Sequence, residues 1–331
     1  MVKAKVYIFE KQFDGFPKSG DLKIIEEELP PIKDGEFLAE AVYLSVDPYM
    51  RARAQFLKLG EPFIGFQIAK ICESKNPEFP CGKHVLGFFG WRTHTISNGI
   101  HPEKDRKSTL IPDELNDLPL SLSLGVLGRP GNSAYFGFLE ICKPKEGETV
   151  VVSGASGAVG SIVGQIAKIK GCKVIGIAGS DEKCKWITNE LGFDHAINYK
   201  TEDVDAVLRK LSPEGIDCYF DNVGGEISST VIHHLKKFGR VSICGAISGY
   251  NETSKVKSIY RPIISNELTL EGFLVARWVD RWDEGIKQNL KWIKEGKLKY
   301  RETITEGFEN MFTAFTDMLS GKNFGKAVVK V

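Results

Sequence analysis

The sequence predicts an α/β protein in which a β-rich first part precedes a doubly wound parallel sheet. Up to about residue 125, short strands are separated by turn-forming clusters with frequent glycine and proline. From Val150 onward, apolar strands alternate with helical segments, which is the pattern of a parallel sheet with helical crossovers. The chain has 331 residues, more than a single core usually holds, so we expect two domains.

The individual elements follow from the same periodicities. The opening MVKAKVYIFEKQF alternates apolar and polar residues like a strand, and it lacks the apolar core and cleavage site of a signal peptide. In the central part we expect a strand at Lys173–Ala178, a helix from near Ser161 and another strand at Ala196–Tyr199. An amphipathic helix is expected around Glu284–Glu295, and the last apolar strand is a candidate to return to the first domain.

The charge balance, the hydrophobic stretches and the cysteines indicate which partners and which cellular environment to expect. The chain carries 44 basic and 43 acidic residues, so it has no electrostatic footprint for nucleic acid or a membrane surface, and we expect small-molecule partners. No stretch is long and apolar enough to span a bilayer, which favours a cytoplasmic protein. The seven cysteines are odd in number and scattered, which indicates reduced, buried thiols and neither a disulfide framework nor a zinc knuckle.

The strongest local signal is a glycine turn between a strand and a helix. Gly154, Gly157 and Gly160 directly follow a strand of Thr and Val and directly precede the helix near Ser161. Such a turn brings backbone N–H groups and the helix dipole to a pyrophosphate. Glycine triplets also serve tight turns and close packing, and the spacing here is GxxGxxG. The position at the opening of a βαβ series favours a dinucleotide.

The end of the next strand selects between the two nicotinamide dinucleotides. An NAD enzyme would place an acidic residue there for the ribose hydroxyl, whereas a 2′-phosphate needs hydroxyl and cationic donors. Ser180 and Lys183 fit the phosphate, and we favour NADPH. Two alternatives stay open: Asp181 takes the ribose, or Ser180 and Asp181 only cap a helix and Lys183 is solvated. Tyr199 either flanks the phosphate or only packs.

Asn222 follows an apolar strand and should lie at the carboxyl edge of the sheet, where ligands bind in such folds. It is a candidate contact for the ribose or nicotinamide. The alternative is that Asn-Val-Gly-Gly is simply turn chemistry.

Together these motifs resemble the leukotriene B4 12-hydroxydehydrogenase/15-oxoprostaglandin 13-reductase family, whose members are zinc-independent medium-chain reductases. The resemblance covers nearly the whole chain, and the strings LSVDPYMR and FDNVGG are specific in combination. It implies a GroES-like β-rich catalytic domain made of residues 1–124 and completed by 296–331, with a Rossmann domain at 125–295. The matching segments are 43–51, 153–164, 179–183, 198–200, 220–225, 244–250, 306–310 and 323–326.

The resemblance also implies a set of cofactor contacts, with Lys183 and Tyr199 at the 2′-phosphate. The remaining contacts that it implies are Gly157, Ala158, Val159 and Gly160 at the pyrophosphate, Asn222, the loop of Cys244, Gly245, Ala246, Ile247, Ser248, Gly249 and Tyr250, the segment Phe273, Leu274 and Val275, and Asn323.

The implied activity is NADPH-dependent reduction of the carbon–carbon double bond of α,β-unsaturated ketones and aldehydes, such as 15-oxo-prostaglandins and 4-hydroxynonenal-type alkenals. Oxidation of the leukotriene B4 12-hydroxyl is a further implied reaction. Tyr250 is our candidate donor to the enolate, although the cofactor ribose hydroxyl could take this role and Tyr250 could only wall the pocket. We expect no metal, because the cysteines and histidines lack zinc-ligand spacing.

Substrate contacts are less defined. Tyr49 and Arg51 are expected in a loop of the catalytic half, with a structural role as the alternative. A substrate carboxylate would need a basic residue, and Arg51, Arg129 and Arg261 are candidates. Residues 129–135 read Arg-Pro-Gly-Asn-Ser-Ala-Tyr where the family usually reads Met-Pro-Gly-Leu-Thr-Ala-Tyr, so we expect a more polar pocket.

Two rival functions remain on the same scaffold. One is a quinone reductase or an oxidative hydroxy-eicosanoid dehydrogenase, and the other is a non-catalytic NADPH-binding protein. Because related enzymes commonly pair Rossmann sheets edge to edge, we expect a homodimer.

Overall fold

The computed structural model describes residues 2–115, 117–251 and 256–331. The chain forms two compact units: one comprises residues up to Gly125 together with Glu302–Val331, and the other comprises Val126–Arg301. The sequence placed these boundaries after residues 124 and 295. Residues 296–301 belong to the second unit here. There the side-chain amide of Gln165 donates to the Lys299 carbonyl at 2.9 Å and accepts from the Lys299 N–H at 2.7 Å.

Strands are numbered in chain order and belong to both units. They are β1 (Val2–Phe9), β2 (Leu22–Leu29), β3 (Phe37–Val46), β4 (Gln67–Ser74), β5 (His84–Gly87), β6 (His94–Ser97), β7 (Thr109–Leu110), β8 (Thr149–Ser153), β9 (Lys173–Ala178), β10 (His195–Asn198), β11 (Ile216–Asp221), β12 (Leu235–Ile243), β13 (Thr269–Gly272), β14 (Glu302–Glu306) and β15 (Lys326–Lys330).

The α-helices are numbered in the same way. They are α1 (Tyr49–Arg53), α2 (Arg129–Phe136), α3 (Gly160–Ile169), α4 (Asp181–Asn189), α5 (Val204–Leu211), α6 (Gly225–His233), α7 (Tyr260–Ser265), α8 (Trp282–Lys294) and α9 (Met311–Leu319). Within the described ranges, no helix is long and apolar enough to cross a membrane.

The first unit is built on β-structure. Strands β1 and β2 form an antiparallel pair, and a larger sheet runs in the order β14-β15-β3-β4-β5-β7, with β6 also paired to β3. The last strand, β15, lies antiparallel to β3, so that Val328 pairs with Ser45. An aromatic cluster of Phe63, Trp91 and Phe315 is fully buried in its core, and the rings of Phe63 and Trp91 meet edge to face at 4.7 Å. Such aromatic burial stabilises the unit mainly through the hydrophobic effect.

The second unit is a parallel sheet in the order β10-β9-β8-β11-β12-β13. The chain moves outward from β8 through β9 to β10 and then returns to β11 on the other side. This reversal between β8 and β11 is the topological switch point, outside which ligands bind in such folds. The predicted fold class, a β-rich domain with a doubly wound Rossmann domain, is therefore confirmed.

Some predicted elements differ in their detail. The strand at Lys173–Ala178 has the predicted bounds, and the predicted helices begin at Gly160 and Trp282. Tyr199 lies one residue beyond β10, because that strand ends at Asn198. The prediction of a loop for Tyr49 and Arg51 was wrong, since both lie in the short helix α1. Pro48 directly precedes this helix with helical dihedral angles, which are compatible with the fixed φ of proline.

Candidate dinucleotide site

The turn between β8 and α3 has no room for side chains at its glycines. Gly154 has a φ of +58°, a left-handed conformation that favours glycine. A Cβ built on Gly160 would lie 2.3 Å from the Gly154 carbonyl oxygen and 2.9 Å from the Ala155 Cα, and one on Gly157 would lie 3.2 Å from the same oxygen. A ligand can therefore approach the backbone of this turn closely.

Helix α3 presents its N-terminus at this turn. In the described structure the residue before it, Val159, makes no side-chain capping hydrogen bond, and no acidic side chain lies in the first turn. The helix packs closely on the segment before β10 at Gly164, where an added Cβ would lie 1.8 Å from the Phe193 ring. The N–H groups of Ser161, Ile162 and Val163 donate to carbonyls of the turn, so the helix dipole is what favours an anion, such as a pyrophosphate, at this end of α3.

A buried carboxylate connects the two strands at the switch point. Oδ1 of Asp221, at the end of β11, accepts hydrogen bonds from Ser153 Oγ at 3.0 Å, from Tyr219 Oη at 2.8 Å and from the N–H groups of Val223 and Gly224 at 3.0 and 2.9 Å. Four donors on one buried oxygen offset the cost of burying the charge. The network fixes the β11 to α6 loop against β8.

Asn222 lies beside the glycine turn. Its Nδ2 donates to the Ser153 carbonyl at 2.7 Å, and its backbone N–H donates to Ser153 Oγ at 3.0 Å. A Cβ on Gly154 would lie 3.4 Å from the Asn222 Cβ. The structure thus brings Asn222 to the predicted edge of the sheet, with its amide held by β8.

Two lysine side chains, Lys183 and Lys200, lie close together near the end of β9. Ser180 caps α4 and its Oγ accepts from the Lys183 N–H at 3.3 Å. The Lys183 side chain is buried, and burial together with the neighbouring charge of Lys200 lowers its pKa from the usual 10.5. Two ammonium groups that repel each other are stabilised by an anion placed near both.

The alternative in which Asp181 binds the ribose competes with a hydrogen bond that this side chain already makes. Its Oδ1 accepts a hydrogen bond from Asn198 Nδ2 at 2.6 Å, so this oxygen is engaged by the end of β10. Tyr199 follows on that strand and its ring covers Gly179, where an added Cβ would lie 3.1 Å from Cε1. Tyr199 remains 44% exposed, so it both packs on Gly179 and presents its ring at the surface beside this strand end.

The loop after β12 is anchored to the same sheet edge. The N–H groups of Cys244 and Gly245 donate to the Asp221 carbonyl at 2.8 and 3.2 Å. Further along, Ser248 donates to the Val223 carbonyl through its N–H at 3.0 Å and through its Oγ at 2.7 Å. The loop therefore keeps a fixed position relative to Asn222 and the glycine turn. Cys244 is partly buried, and this burial raises the pKa of its thiol to about 12.

Tyr250 closes this loop by folding back over it. Its Oη accepts a long hydrogen bond, 3.4 Å, from the Ala246 N–H, and it would lie 3.6 Å from a Cβ on Gly245. Burial raises the pKa of the phenol from its usual 10. The hydroxyl is therefore neutral at physiological pH, and it can donate its proton in a hydrogen bond while Oη accepts from Ala246.

In the segment after β13, two side chains pack inward and one is exposed to solvent. Phe273 packs on Gly137, where an added Cβ would lie 2.2 Å from its ring, and Val275 is buried. Leu274 between them is 71% exposed. Of the three predicted contacts here, only Leu274 turns its side chain to the surface of this unit.

The predicted residues of the first unit have partners within that unit. Nη2 of Arg51 donates to the Gly15 carbonyl at 2.8 Å, and its guanidinium lies 5.3 Å from the centre of the Phe13 ring. These contacts favour the structural alternative for Arg51. Asn323 donates from Nδ2 to the Gly325 carbonyl at 2.8 Å, which shapes the turn before β15.

The other two candidate arginines lie in the second unit. The guanidinium of Arg129 lies 5.2 Å from the Trp282 ring centre, and Arg261 is exposed on α7. Asn132, which we expected to make a pocket more polar, is fully buried instead. A Cβ on Gly285 in α8 would lie 2.1 Å from its Oδ1, so Asn132 packs between α2 and α8.

The cysteines were expected to be buried, which is wrong for two of them. Cys142, Cys172 and Cys218 are buried, whereas Cys72 and Cys81 are exposed in the first unit. Cysteines at strand and turn positions outside the core need no burial. Among residues 2–115, 117–251 and 256–331, no three His, Cys, Asp or Glu side chains come together as a metal site.

Sequence comparison identifies the family of this arrangement. Residues 5–104 match a family profile described as the N-terminal domain of oxidoreductase, and residues 158–294 match one described as zinc-binding dehydrogenase. Prostaglandin reductase 1 of Bos taurus is 54% identical, with 100% of both chains covered. The chain belongs to the prostaglandin reductase family. The zinc in the second profile's description therefore names a wider group of dehydrogenases, in which this family is placed.

More distant members of this group show the same relationship. The NADP-dependent 2-alkenal reductase of Nicotiana tabacum is 40% identical over 100% of this chain and 98% of its own. The solved structure of CurA from Vibrio vulnificus in complex with NADPH is 37% identical and covers 99% of both chains with a TM-score of 0.91. The prostaglandin reductase family thus shares its fold with reductases of plants and bacteria.

Three residues of the site lie in the matched segments but received no role from the sequence. Ser153 and Asp221 form the link across the switch point, and Lys200 provides the second cation at the end of β10. From the sequence, Ser153 and Asp221 are only the last residues of two strands. Their contact depends on the pairing of β8 with β11, which are distant in the sequence. Lys200 adjoins Tyr199, so a search for basic residues after each strand would have found it.

Proposed function

We propose that this protein reduces the carbon–carbon double bond of α,β-unsaturated ketones and aldehydes with NADPH. The observation that carries the proposal is the arrangement at one sheet edge of a glycine turn, a pair of lysines and a half-buried tyrosine. Relatives named prostaglandin reductase 1 and 2-alkenal reductase support the same reaction class.

NADPH fits the residues at this edge. Gly157 and Gly160 would lie against the pyrophosphate with the N-terminus of α3, and Lys183 and Lys200 would meet the 2′-phosphate. Tyr199 would flank that phosphate, and Asn222 would contact the ribose or nicotinamide. When bound, the cofactor supplies a hydride for the β-carbon of the substrate.

Tyr250 would stabilise the charge that develops on the substrate. As the double bond is reduced, negative charge collects on the carbonyl oxygen as an enolate, and a preorganised hydrogen-bond donor lowers the barrier. The raised pKa keeps the phenol protonated, and the Ala246 N–H holds its oxygen. Tyr250 can thus donate to the enolate without ionising. A carbonyl that stays a carbonyl in the product distinguishes this reaction from alcohol formation.

The decisive assay follows NADPH absorbance after addition of 15-oxo-prostaglandin or 4-hydroxynonenal, with mass analysis of the product and NADH as the control cofactor. We expect a product two hydrogens heavier with its carbonyl intact. Reduction of the carbonyl, or no turnover, would contradict the proposal.

The same assay separates the rivals. A clear preference for a quinone would favour a quinone reductase, and oxidation of a secondary allylic alcohol would favour a hydroxy-eicosanoid dehydrogenase. Binding of NADPH with no oxidation by any substrate would favour a non-catalytic role. Cytoplasmic localisation stays a prediction, to be tested by cell fractionation.

A homodimer is the expected assembly. Strand β13 ends the sheet order of the second unit, and the preceding helix α7 exposes Tyr260 and Ile264 at 74% and 75%. An open strand edge with apolar neighbours is suited to pairing with a second copy. Light scattering should give twice the chain mass of 36.8 kDa, and a monomer mass would contradict it.

A further inference from the structure

Two exposed cysteines lie close together in the first unit, outside every residue assigned to the cofactor or substrate. Cys72 is on β4, and Cys81 is in the turn that leads to β5. Sγ of Cys81 lies 3.0 Å from the backbone carbonyl oxygen of Cys72. Nine positions separate the two cysteines in the sequence, so the turn is what brings them together.

The backbone fixes this arrangement. The Gly82 N–H donates to the Ile71 carbonyl at 2.8 Å, and the Ile71 N–H donates to the Lys83 carbonyl at 2.9 Å. Gly82 has a φ of +86°, which a glycine adopts without strain and which directs the chain back along β4. These two backbone hydrogen bonds join the turn to β4, so the position of Cys81 relative to Cys72 is fixed.

The two side chains also share an environment. Ile71 is fully buried, so the next residue of the strand, Cys72, faces the opposite side, toward solvent. A carbonyl oxygen lies about 2.4 Å from its own Cα. Sγ of Cys81 is thus at most about 5.4 Å from the Cα of Cys72, the sum of that length and the 3.0 Å contact. A disulfide between the two residues requires Cα atoms about 4.4–6.8 Å apart and rotation of both side chains until the sulfur atoms meet.

We propose that Cys72 and Cys81 are a site of reversible oxidation, forming an intramolecular disulfide when the protein meets a peroxide. The Cys81 thiolate attacks one peroxide oxygen: an S–O bond forms, the O–O bond breaks, and the departing hydroxide takes a proton and leaves as water. The Cys72 thiolate then attacks this sulfenic sulfur, the S–S bond forms, the S–O bond breaks, and a second water leaves. Two thiols lose two electrons and one peroxide becomes two waters.

The order of the two thiols follows from their surroundings. Burial and the nearby carboxylate of Glu40, 3.7 Å from Cys72 Sγ, raise the pKa of Cys72. A raised pKa lowers the thiolate fraction of Cys72 at neutral pH, so we assign it the resolving step. A dithiol reductant reverses the reaction by attack on the disulfide.

The remaining cysteines are poorer targets. Cys142 and Cys218 are fully buried, and burial raises the pKa of Cys172 and Cys184 to about 11 and that of Cys244 to about 12. Thiolate is the reactive form, so these groups react slowly at neutral pH. Oxidation should thus concentrate on the exposed pair.

The test treats the whole reduced protein with hydrogen peroxide and counts thiols after denaturation. We expect the count to fall from seven to five, the intact mass to fall by two hydrogens, and a peptide map to link Cys72 to Cys81. Dithiothreitol should restore all seven thiols. The Cys184→Ser control should still form the link.

Two variants make the outcome decisive. Cys72→Ser should form no link and should leave a sulfenic acid on Cys81, which dimedone traps. Cys81→Ser should keep its Cys72 thiol under the same dose. A link between other cysteines, a covalent dimer, or a sulfinic or sulfonic acid on Cys72 or Cys81 of the native protein with no link between them would overturn the proposal. Because none of these readouts uses enzyme turnover, the result is independent of the proposed function.

Discussion

Lys183 and Lys200 place two positive charges at neighbouring strand ends, and the charge of Lys200 contributes to a lowered pKa for Lys183. Lys183 is buried and Lys200 is exposed, so the side chain of Lys183 is fixed by packing while that of Lys200 can change its rotamer. Desolvation and repulsion both disfavour the charged form of Lys183. A phosphate between them would relieve both costs, which makes this pair the part of the site that tests cofactor choice most directly.

Replacement of Lys183 with alanine should weaken NADPH far more than NADH. A charged hydrogen bond to a phosphate contributes about 1.5–3 kcal/mol, so the Kd for NADPH should rise about 10- to 150-fold. NADH lacks the 2′-phosphate and should be affected little. Fluorescence titration of the purified variant with each cofactor provides the measurement.

A matched control lies on the same helix. Lys185 is exposed two residues further along α4, and Lys185→Ala should leave both dissociation constants unchanged. Equal losses for NADPH and NADH in Lys183→Ala would indicate a structural defect and would defeat the assignment of the 2′-phosphate.

Replacement of Gly160 with alanine should damage the pyrophosphate turn. The new Cβ would meet backbone atoms of Gly154 and Ala155, which cannot rotate away as a side chain would. Overpacking of this kind typically costs about 1–3 kcal/mol, so we expect a lower melting temperature and a weakened affinity for both cofactors. Calorimetry with and without NADPH measures both effects.

Gly272→Ala is the control for that substitution, since its added Cβ would meet no atom of the described residues within 4 Å, its chain neighbours apart. If Gly160→Ala bound NADPH with native affinity, the close approach of a cofactor to this turn would be ruled out.

Replacement of Tyr250 with phenylalanine should slow turnover and leave cofactor binding nearly intact. Removal of one donor to a developing oxyanion typically costs about 100-fold or more in kcat, while the ring still packs on its loop. Steady-state kinetics with an alkenal and titration with NADPH separate the two effects. Tyr300→Phe, at an exposed tyrosine before β14, should behave like the native protein. An unchanged kcat in Tyr250→Phe would assign the donor role to another group.

The sequence predicted the fold class and the location of the glycine turn because both depend on local periodicity. Strand Lys173–Ala178 and the helix at Gly160 follow from alternating apolar residues and glycine spacing. The Ser153 to Asp221 hydrogen bond could not be predicted in this way, since it depends on the pairing of β8 with β11. Family resemblance pointed to Tyr250, but its hydrogen bond from Ala246 depends on how one loop folds on itself.

Burial was the least predictable property. Asn132 reads as a polar pocket residue, yet it packs in the interior against Gly285, because the helical period places it on the inner face of α2. Arg51 was predicted as a candidate substrate contact, yet its guanidinium donates a hydrogen bond to the Gly15 carbonyl, 36 positions earlier in the chain. Both outcomes depend on contacts between segments that are distant in the sequence.

The ion pair of Glu148 with Arg240 should make the second unit sensitive to acid. Both carboxylate oxygens of Glu148 accept from the guanidinium, at 3.0 and 2.6 Å, and the Lys145 N–H donates to Oε2 at 2.8 Å. Burial acts to raise the pKa of Glu148, but these hydrogen bonds outweigh it and the pKa lies below the usual 4.5. The pair therefore contributes its full stability above pH 4.5, and this is lost as the pH falls through the lowered pKa.

Glu148→Gln should accordingly destabilise the protein at pH 7 by about 2–3 kcal/mol, since the Arg240 charge then lacks its carboxylate. The difference from the native protein should shrink as the pH falls below 4.5 and through the lowered pKa of the native carboxylate, which then becomes protonated too. Thermal unfolding at pH 7, 5 and 3.5 measures this, with Glu214→Gln, an exposed site, as the control. A difference that stayed constant across this range would mean that Glu148 acts through packing and not through its charge.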